Sequence, residues 1–179
     1  LYSINGIHTP SNTIFKGSLL GSWVDEYDSS TCVIKEGPGK SYIIELESNE
    51  PVYTKTTFDG YLVRLGRNYF LDLFLSKDYT ESISTGTIPV HLIIKIAWEA
   101  NLLKTWLFCE YSDLKELLES TENNNFSTLD MDTDPTEVIT WASTEELHKF
   151  LIEYGNNQTV FPDNKITKHN RQALKEEIK

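Results

Sequence analysis

The 179-residue chain is poor in several features that usually narrow a function. It has two cysteines, Cys32 and Cys109, which is too few for a disulfide framework or a zinc-binding pattern. We expect two buried free thiols, with a single bridge as the alternative if their strands are neighbours in an oxidising compartment. No run of about 18 apolar residues occurs, so no membrane-spanning helix is predicted.

Positive charge is also scarce. The chain has 16 Lys and Arg against 27 Asp and Glu, giving a formal net charge of -11 and an isoelectric point near 4.8. Nucleic-acid binding depends on cationic side chains that displace counterions from phosphates, so no nucleic-acid partner is predicted. Anionic membrane surfaces are disfavoured for the same reason, and the acidic surface is expected to favour solubility.

Signatures of catalysis are absent from the sequence. There is no G-x-S-x-G elbow, no phosphate-binding loop and no G-x-G-x-x-G, so no catalytic residue and no cofactor is predicted. The histidines are scattered without H-x-x-x-H spacing, and no metal site is predicted. The alternating carboxylates of residues 130–134 can suit Ca²⁺, but they lack the Gly and the distal Glu of an EF-hand loop. A solvated acidic loop is therefore expected.

What the chain has is a series of short apolar segments with period-two alternation, which is typical of half-buried strands. The segment from Tyr61 to Cys109 carries four of them, separated by short polar turns. Asp59-Gly60 is the strongest hairpin signal and is expected to separate two strands. Nine strands are predicted, over residues 20–24, 31–36, 40–47, 52–58, 61–65, 69–75, 89–98, 102–109 and 137–142.

Helical periodicity begins after Cys109. Ser112 is expected to cap a short first helix. Ser143 and Glu146 form a capping box for a second helix, which Gly155 should end. The fold class predicted is mainly β, an antiparallel meander that closes into a barrel of about eight strands with two C-terminal helices.

Three regions are predicted along the chain. Residues 1–18 are expected to form a flexible N-terminal arm or tether, because they are polar and rich in turn residues. Residues 19–162 should form the barrel domain with its helices. Residues 163–179 are expected to be a charged tail that forms at most a frayed helix.

The order of segments resembles a known group. Gly21-Ser22-Trp23 resembles the G-x-W that opens the first strand of lipocalins. The rest of the chain to Pro162 resembles the lipocalin-like lipoproteins of bacterial envelopes, an uncharacterised family. The other positions that carry the resemblance are Tyr42, Leu65-Gly66, Phe70-Leu71-Asp72, Pro89-Val90-His91, Trp106, Ala142 and Phe161-Pro162. Two other lipocalin hallmarks are not found: a T-D-Y motif in the later loops and an Arg at the end of the last barrel strand.

The resemblance implies a lipocalin-like barrel and a protein exported to the cell envelope, facing the periplasm or the cell surface. Membrane attachment would then come only from a lipid anchor on a cysteine that precedes Leu1. It implies no particular ligand.

Two polar residues interrupt otherwise apolar strands. Asp72 lies between Phe70 and Phe74, and His91 begins the most apolar strand. If their strands are neighbours, the carboxylate can orient and charge the imidazole. Arg64 on the preceding strand is the third expected member. The alternative is a structural network in which Arg64 or backbone N–H groups satisfy Asp72.

Aromatic residues give the remaining candidates. Tyr42 and Trp106 can line an apolar cavity, although such residues also simply fill small barrels. The predicted function is a non-enzymatic binding protein. Its small or extended ligand would sit in the barrel mouth and contact Arg64, Asp72, His91, Tyr42 and Trp106.

Two alternatives remain open. One is a filled barrel that serves as a structural or protein-interaction module without a small-molecule ligand. The other is a hydrolase or isomerase that uses Asp72 and His91, which requires that their contact lie in a solvent-accessible cleft.

Overall fold

A computed structural model describes residues 1–48, 54–76, 90–120, 128–129 and 139–172. The predicted acidic loop at 130–134 lies outside them, as do residues 52–53, 89 and 137–138 of three predicted strands and residues 173–179 of the predicted tail. The two longer helices are α1 (Tyr111–Ser120) and α2 (Thr144–Tyr154). The strands are β1 (Tyr2–Ser3), β2 (Thr13–Ile14), β3 (Gly21–Asp25), β4 (Thr31–Glu36), β5 (Tyr42–Ser48), β6 (Thr54–Leu65), β7 (Asn68–Leu75), β8 (His91–Trp98), β9 (Leu102–Trp106), β10 (Thr128–Leu129), β11 (Ile139–Thr140) and β12 (Ile166–Arg171).

Eight antiparallel strands close a barrel, which confirms the predicted fold class. Strands β3 to β9 form a meander in which each strand pairs with the next. Strand β12 lies between β3 and β9 and completes the ring. No helix in the described part of the chain has both the length and the apolar character needed to cross a bilayer.

The C-terminal strand corrects the prediction of a frayed helix after residue 163. The segment Ile166–Arg171 has almost no apolar residues, so its period-two signal is weak. It is nevertheless a strand because it pairs with two open edges, β3 on one side and β9 on the other. Lys168 and Asn170 face solvent, and the alternate residues face the barrel interior.

A second correction concerns Asp59-Gly60, which was predicted to be a hairpin turn. Both residues lie within the single long strand β6, paired with β5 on one side and β7 on the other. A Cβ on Gly60 would lie 2.8 Å from Ile44 Cδ1 and 3.2 Å from Leu73 Cδ2. Gly60 is therefore a site of close packing on the inner wall, which is the other common reason for a glycine within a strand.

The prediction of a flexible N-terminal arm is also wrong. Leu1 and Ile7 are buried, β1 pairs with β8 and β11, and β2 pairs with β6. Hydrogen bonds attach the arm to helix α2 as well, since Thr144 donates to the Gly6 carbonyl at 2.7 Å. The arm is thus part of the folded domain, because its few apolar residues complete a buried layer.

Two apolar cores lie on opposite sides of the barrel wall. The inner core contains Trp23, Tyr42 and Leu103, with buried residues from seven of the eight barrel strands. The outer core lies between the β6–β8 face and the covering segments, and contains Phe70, Phe161 and residues of both helices. Both cysteines are buried and free, Cys32 inside and Cys109 outside the wall, so the bridge alternative is wrong.

The local signals for helix α2 are confirmed. The Glu146 backbone N–H donates to Ser143 Oγ at 3.3 Å, and the Glu146 carboxylate accepts from the Ser143 backbone N–H at 2.8 Å. Gly155 follows the last helical turn as predicted. Helix α1 begins at Tyr111, one residue before the predicted cap at Ser112.

An arginine at the end of the last barrel strand is present after all. Arg171 ends β12, and its guanidinium carbon lies 4.2 Å from the centre of the Trp23 ring. It also donates to the carbonyls of Ser18, Leu20 and Ala100. The prediction missed it because β12 was not recognised as a strand.

Candidate functional site

The five predicted site residues do not share one site. Arg64 is exposed and lies over the Tyr69 ring, 5.8 Å from its centre. Tyr42 is buried in the inner core, where its hydroxyl accepts from the Lys16 backbone N–H at 2.6 Å. Trp106 packs against the outer core, with the Lys95 ammonium 4.9 Å from its ring centre. The structure brings together only Asp72 and His91.

Asp72 and His91 lie on the outer face of the barrel wall, not in its mouth. Strands β7 and β8 are neighbours, as the predicted contact required, and Asp72 Oδ1 lies 2.7 Å from His91 Nδ1. The alternation along β7 places Asp72 on the same face as Phe70, which packs in the outer core. The prediction that these groups contact a ligand inside the barrel is therefore wrong.

His8 from the N-terminal arm is a member that the sequence did not reveal. Its Nδ1 lies 2.7 Å from Asp72 Oδ2, and its ring stacks on Tyr61 with centroids 3.9 Å apart. The backbone N–H groups of Ile7 and His8 donate to the same oxygen at 2.7 and 3.0 Å. No spacing signal could have found His8, because its place depends on how the arm docks.

The buried carboxylate is ionised. Burial by itself raises the pKa of Asp72, but hydrogen bonds from His8 and His91 outweigh that effect and hold this pKa well below its usual range. A carboxylate only accepts hydrogen bonds, so each imidazole must carry its hydrogen on Nδ1. Among the described residues, neither Nε2 has a hydrogen-bond partner. The cluster of His8, Asp72 and His91 is thus a carboxylate shared by two oriented imidazoles.

A second candidate region lies at one end of the barrel, which we call the open end. It is the end at which β3, β5, β7 and β9 finish and β4, β6, β8 and β12 begin. Inward-facing apolar side chains near this end are only partly covered, and Leu46 is 37% exposed. The others, all half-buried, are Phe58, Leu75, Leu92 and Ile94.

The opposite end is sealed. Leu19 and Trp23 are fully buried there, and the Trp23 indole N–H donates to the Leu19 carbonyl at 2.9 Å. Phe15 stacks on Tyr42 with ring centroids 5.1 Å apart. Among the described residues, the half-covered part of the interior therefore lies at the open end.

Polar groups also line the inner wall. His169 Nε2 lies 3.3 Å from Thr105 Oγ1. Its Nδ1 is buried without a hydrogen-bond partner among the described residues, 3.7 Å from Asp25 Oδ2. Burial lowers the pKa of His169, opposed by nearby Asp25, Asp28 and Glu26, which favours the neutral ring. Sequence analysis missed this pair because residue 169 was assigned to the tail.

Two clefts lie near the open end. One of about 550 Å³ lies between the β3–β4 turn and the start of β12, and includes Asp25 and Thr167. The other, of about 510 Å³, is bounded by Leu1, Leu92 and Leu107 and also reaches Thr167. Both volumes are in the range of small-molecule sites.

Comparison with known proteins found no match to the chain among protein-family models, curated proteins or solved structures. The resemblance to lipocalin-like lipoproteins therefore stays a prediction, and the candidate sites must be judged on their own geometry.

Proposed function

We propose that the protein is a non-enzymatic binding protein whose small ligand enters the open end of the barrel. The observation that carries this proposal is the difference between the two barrel ends. One end is sealed by fully buried side chains. At the other end, within the described ranges, inward-facing apolar side chains are half-covered, and the buried Nδ1 of His169 has no hydrogen-bond partner. Concave apolar walls with a few converging polar groups are the usual form of a small-molecule site.

The polar pair on the inner wall favours a particular ligand chemistry. His169 Nδ1 and Asp25 Oδ2 are 3.7 Å apart, which is too far for a direct hydrogen bond. The Nδ1 atom is buried, so a ligand hydroxyl reaches it only if the His169 ring turns outward. Such a hydroxyl accepts from Nδ1–H and donates to Asp25 Oδ2. Carboxylates of Asp25, Glu26 and Asp28 lie at the rim, so an anionic head group is disfavoured. We therefore expect a ligand with an apolar body and a neutral or cationic polar group.

A matched series of short amphiphiles tests this proposal. Octanol, octylamine and octanoate share one apolar chain and differ in the charge of the head group. Titration followed by amide NMR shifts should show octanol and octylamine binding more tightly than octanoate. Shifts should concentrate at Leu46, Leu92 and His169.

A pair of variants controls for non-specific binding. Leu46→Lys places a charge on the half-covered wall and should weaken octanol binding about tenfold or more, because its ammonium would have to lose water against the ligand. Ile152→Lys changes another exposed apolar residue, on helix α2 outside the barrel, and should leave binding unchanged. Equal weakening by both variants, or no shift at the open end, would refute the proposal.

The filled-barrel alternative is favoured by the close packing of the sealed half, where Trp23, Tyr42 and Leu62 have no exposed surface. Under this alternative the amphiphiles fail to bind at the open end, and the same titration therefore decides between the two functions.

Export to the cell envelope as a lipoprotein rests on the resemblance alone and is proposed on that basis. The expected result is recovery of the native protein with the lipid-modified membrane fraction. Recovery in the cytosolic fraction would contradict it.

A further inference from the structure

The cluster of His8, Asp72 and His91 contains a recognised set of metal ligands from three separate segments. His8 comes from the N-terminal arm, Asp72 from β7 and His91 from β8. One potential ligand atom from each side chain lies within 4.8 Å of the other two. We propose that this cluster binds one divalent transition-metal ion of the Zn²⁺ type.

The ligand types fit this class of ion. Two imidazoles and one carboxylate are borderline ligands that suit Zn²⁺ and Fe²⁺, and they do not suit Ca²⁺ or Mg²⁺, which prefer oxygen. Three protein ligands leave further coordination positions for water. Both histidine side chains are partly exposed, His8 by 30% and His91 by 16%, so solvent reaches the edge of the cluster.

Only small movements of the three side chains are needed to bring their ligand atoms to metal-binding distances. Each Nδ1 lies 2.7 Å from one carboxylate oxygen, a hydrogen-bond length. Ligand atoms around a zinc ion at 2.0–2.2 Å are separated by about 3.4 Å, so the carboxylate contacts must lengthen and the imidazoles move together.

The proton balance of metal binding requires only a change of imidazole tautomer. Each neutral imidazole moves its hydrogen from Nδ1 to Nε2, which has no competing partner among the described residues. The two Nδ1 lone pairs and the Asp72 carboxylate then bind the ion. No net proton is released, and the site charge changes from -1 to +1.

Neighbouring residues hold the ligands in place. Tyr61 stacks on the His8 ring at an interplanar angle of 7°, and the Phe74 ring centre lies 5.1 Å from that of His91. Gly6 packs directly over the cluster, where a Cβ would lie 2.8 Å from both Asp72 Oδ2 and His91 Cε1. Such outer contacts restrict imidazole orientation in metal sites. Bound metal would thus fasten the arm to the barrel.

Isothermal titration of the metal-free protein with ZnCl₂ tests the proposal. Wild type should bind one ion per chain, and its Tm should rise by about 5 °C or more at a hundredfold excess over Kd. His8→Asn and His91→Asn keep an N–H that can donate to Asp72 but remove the imidazole ligand. Both should lose the binding and the rise in Tm while remaining folded.

His148→Asn is the matched control. His148 is also half-buried and contacts the arm through the Ile7 carbonyl, but it lies outside the cluster. It should bind Zn²⁺ as wild type does. A visible Co²⁺ spectrum that is present in wild type and absent from His91→Asn would confirm nitrogen ligation. The proposal is overturned if wild type shows no binding, or if His8→Asn and His91→Asn bind as wild type does.

Discussion

Removal of the Asp72 carboxylate should release the N-terminal arm. Asp72 has no exposed surface and accepts four hydrogen bonds, two from backbone N–H groups and two from imidazoles. In Asp72→Ala these donors lose their acceptor. A buried donor without a partner costs about 1–3 kcal/mol, and Ile7 N–H is fully buried. Because the imidazoles and the His8 N–H can reach water, they add less than the Ile7 N–H does, and we expect a total loss of about 2–4 kcal/mol.

Urea unfolding at pH 7, followed by circular dichroism, measures this loss. Hydrogen exchange of the Ile7 and His8 amides measures the docking of the arm separately from global stability. Asp72→Asn keeps the shape and one acceptor oxygen, so it should cost less, about 1–3 kcal/mol. A loss below about 1 kcal/mol in Asp72→Ala, with Ile7 still protected, would refute the reasoning.

Three further perturbations follow from the structure. Gly6→Ala should cost about 1–3 kcal/mol in urea unfolding because its Cβ meets Asp72, whereas Gly17→Ala, with nothing within 4 Å, should be nearly neutral; equal effects would contradict this. Burial lowers the pKa of His169, so its neutral form stabilises the fold above about pH 6.5 and that contribution is lost as pH falls; His169→Gln should flatten the pH dependence of Tm, and an unchanged slope would contradict it. Burial raises the thiol pKa of Cys32 and Cys109 to about 12, so a disulfide reagent should label neither at pH 8 before unfolding, and rapid labelling would contradict it.

Much of the barrel could be predicted because its strands carry their own signal. Apolar and polar residues alternate along β4 and β5, and β7 is largely apolar on both faces. The turns that precede β5 and β7 contain Gly39 and Gly66, each in the left-handed region. Strand β12 could not be predicted in this way, because its position comes from the two edges that it joins. Gly60 misled the prediction because a strand glycine and a turn glycine look alike in sequence.

The site was predictable only in part. The contact of Asp72 with His91 was predicted from two polar residues on neighbouring apolar strands, and it is confirmed. Its position outside the barrel was not predicted, because periodicity alone does not say which face of a doubly covered strand lies inside. His8 and His169 depend on the docking of segments with little apolar character, so tertiary structure alone brings them to their sites.

Locating octanol on the protein by NMR tests whether a ligand binds inside the barrel. Intermolecular NOEs should connect the octanol methylene protons to the methyl groups of Leu46 and Leu92 at the open end. The hydroxyl end should lie near His169. NOEs confined to other surfaces, such as exposed Ile152 on helix α2, would contradict binding in the barrel.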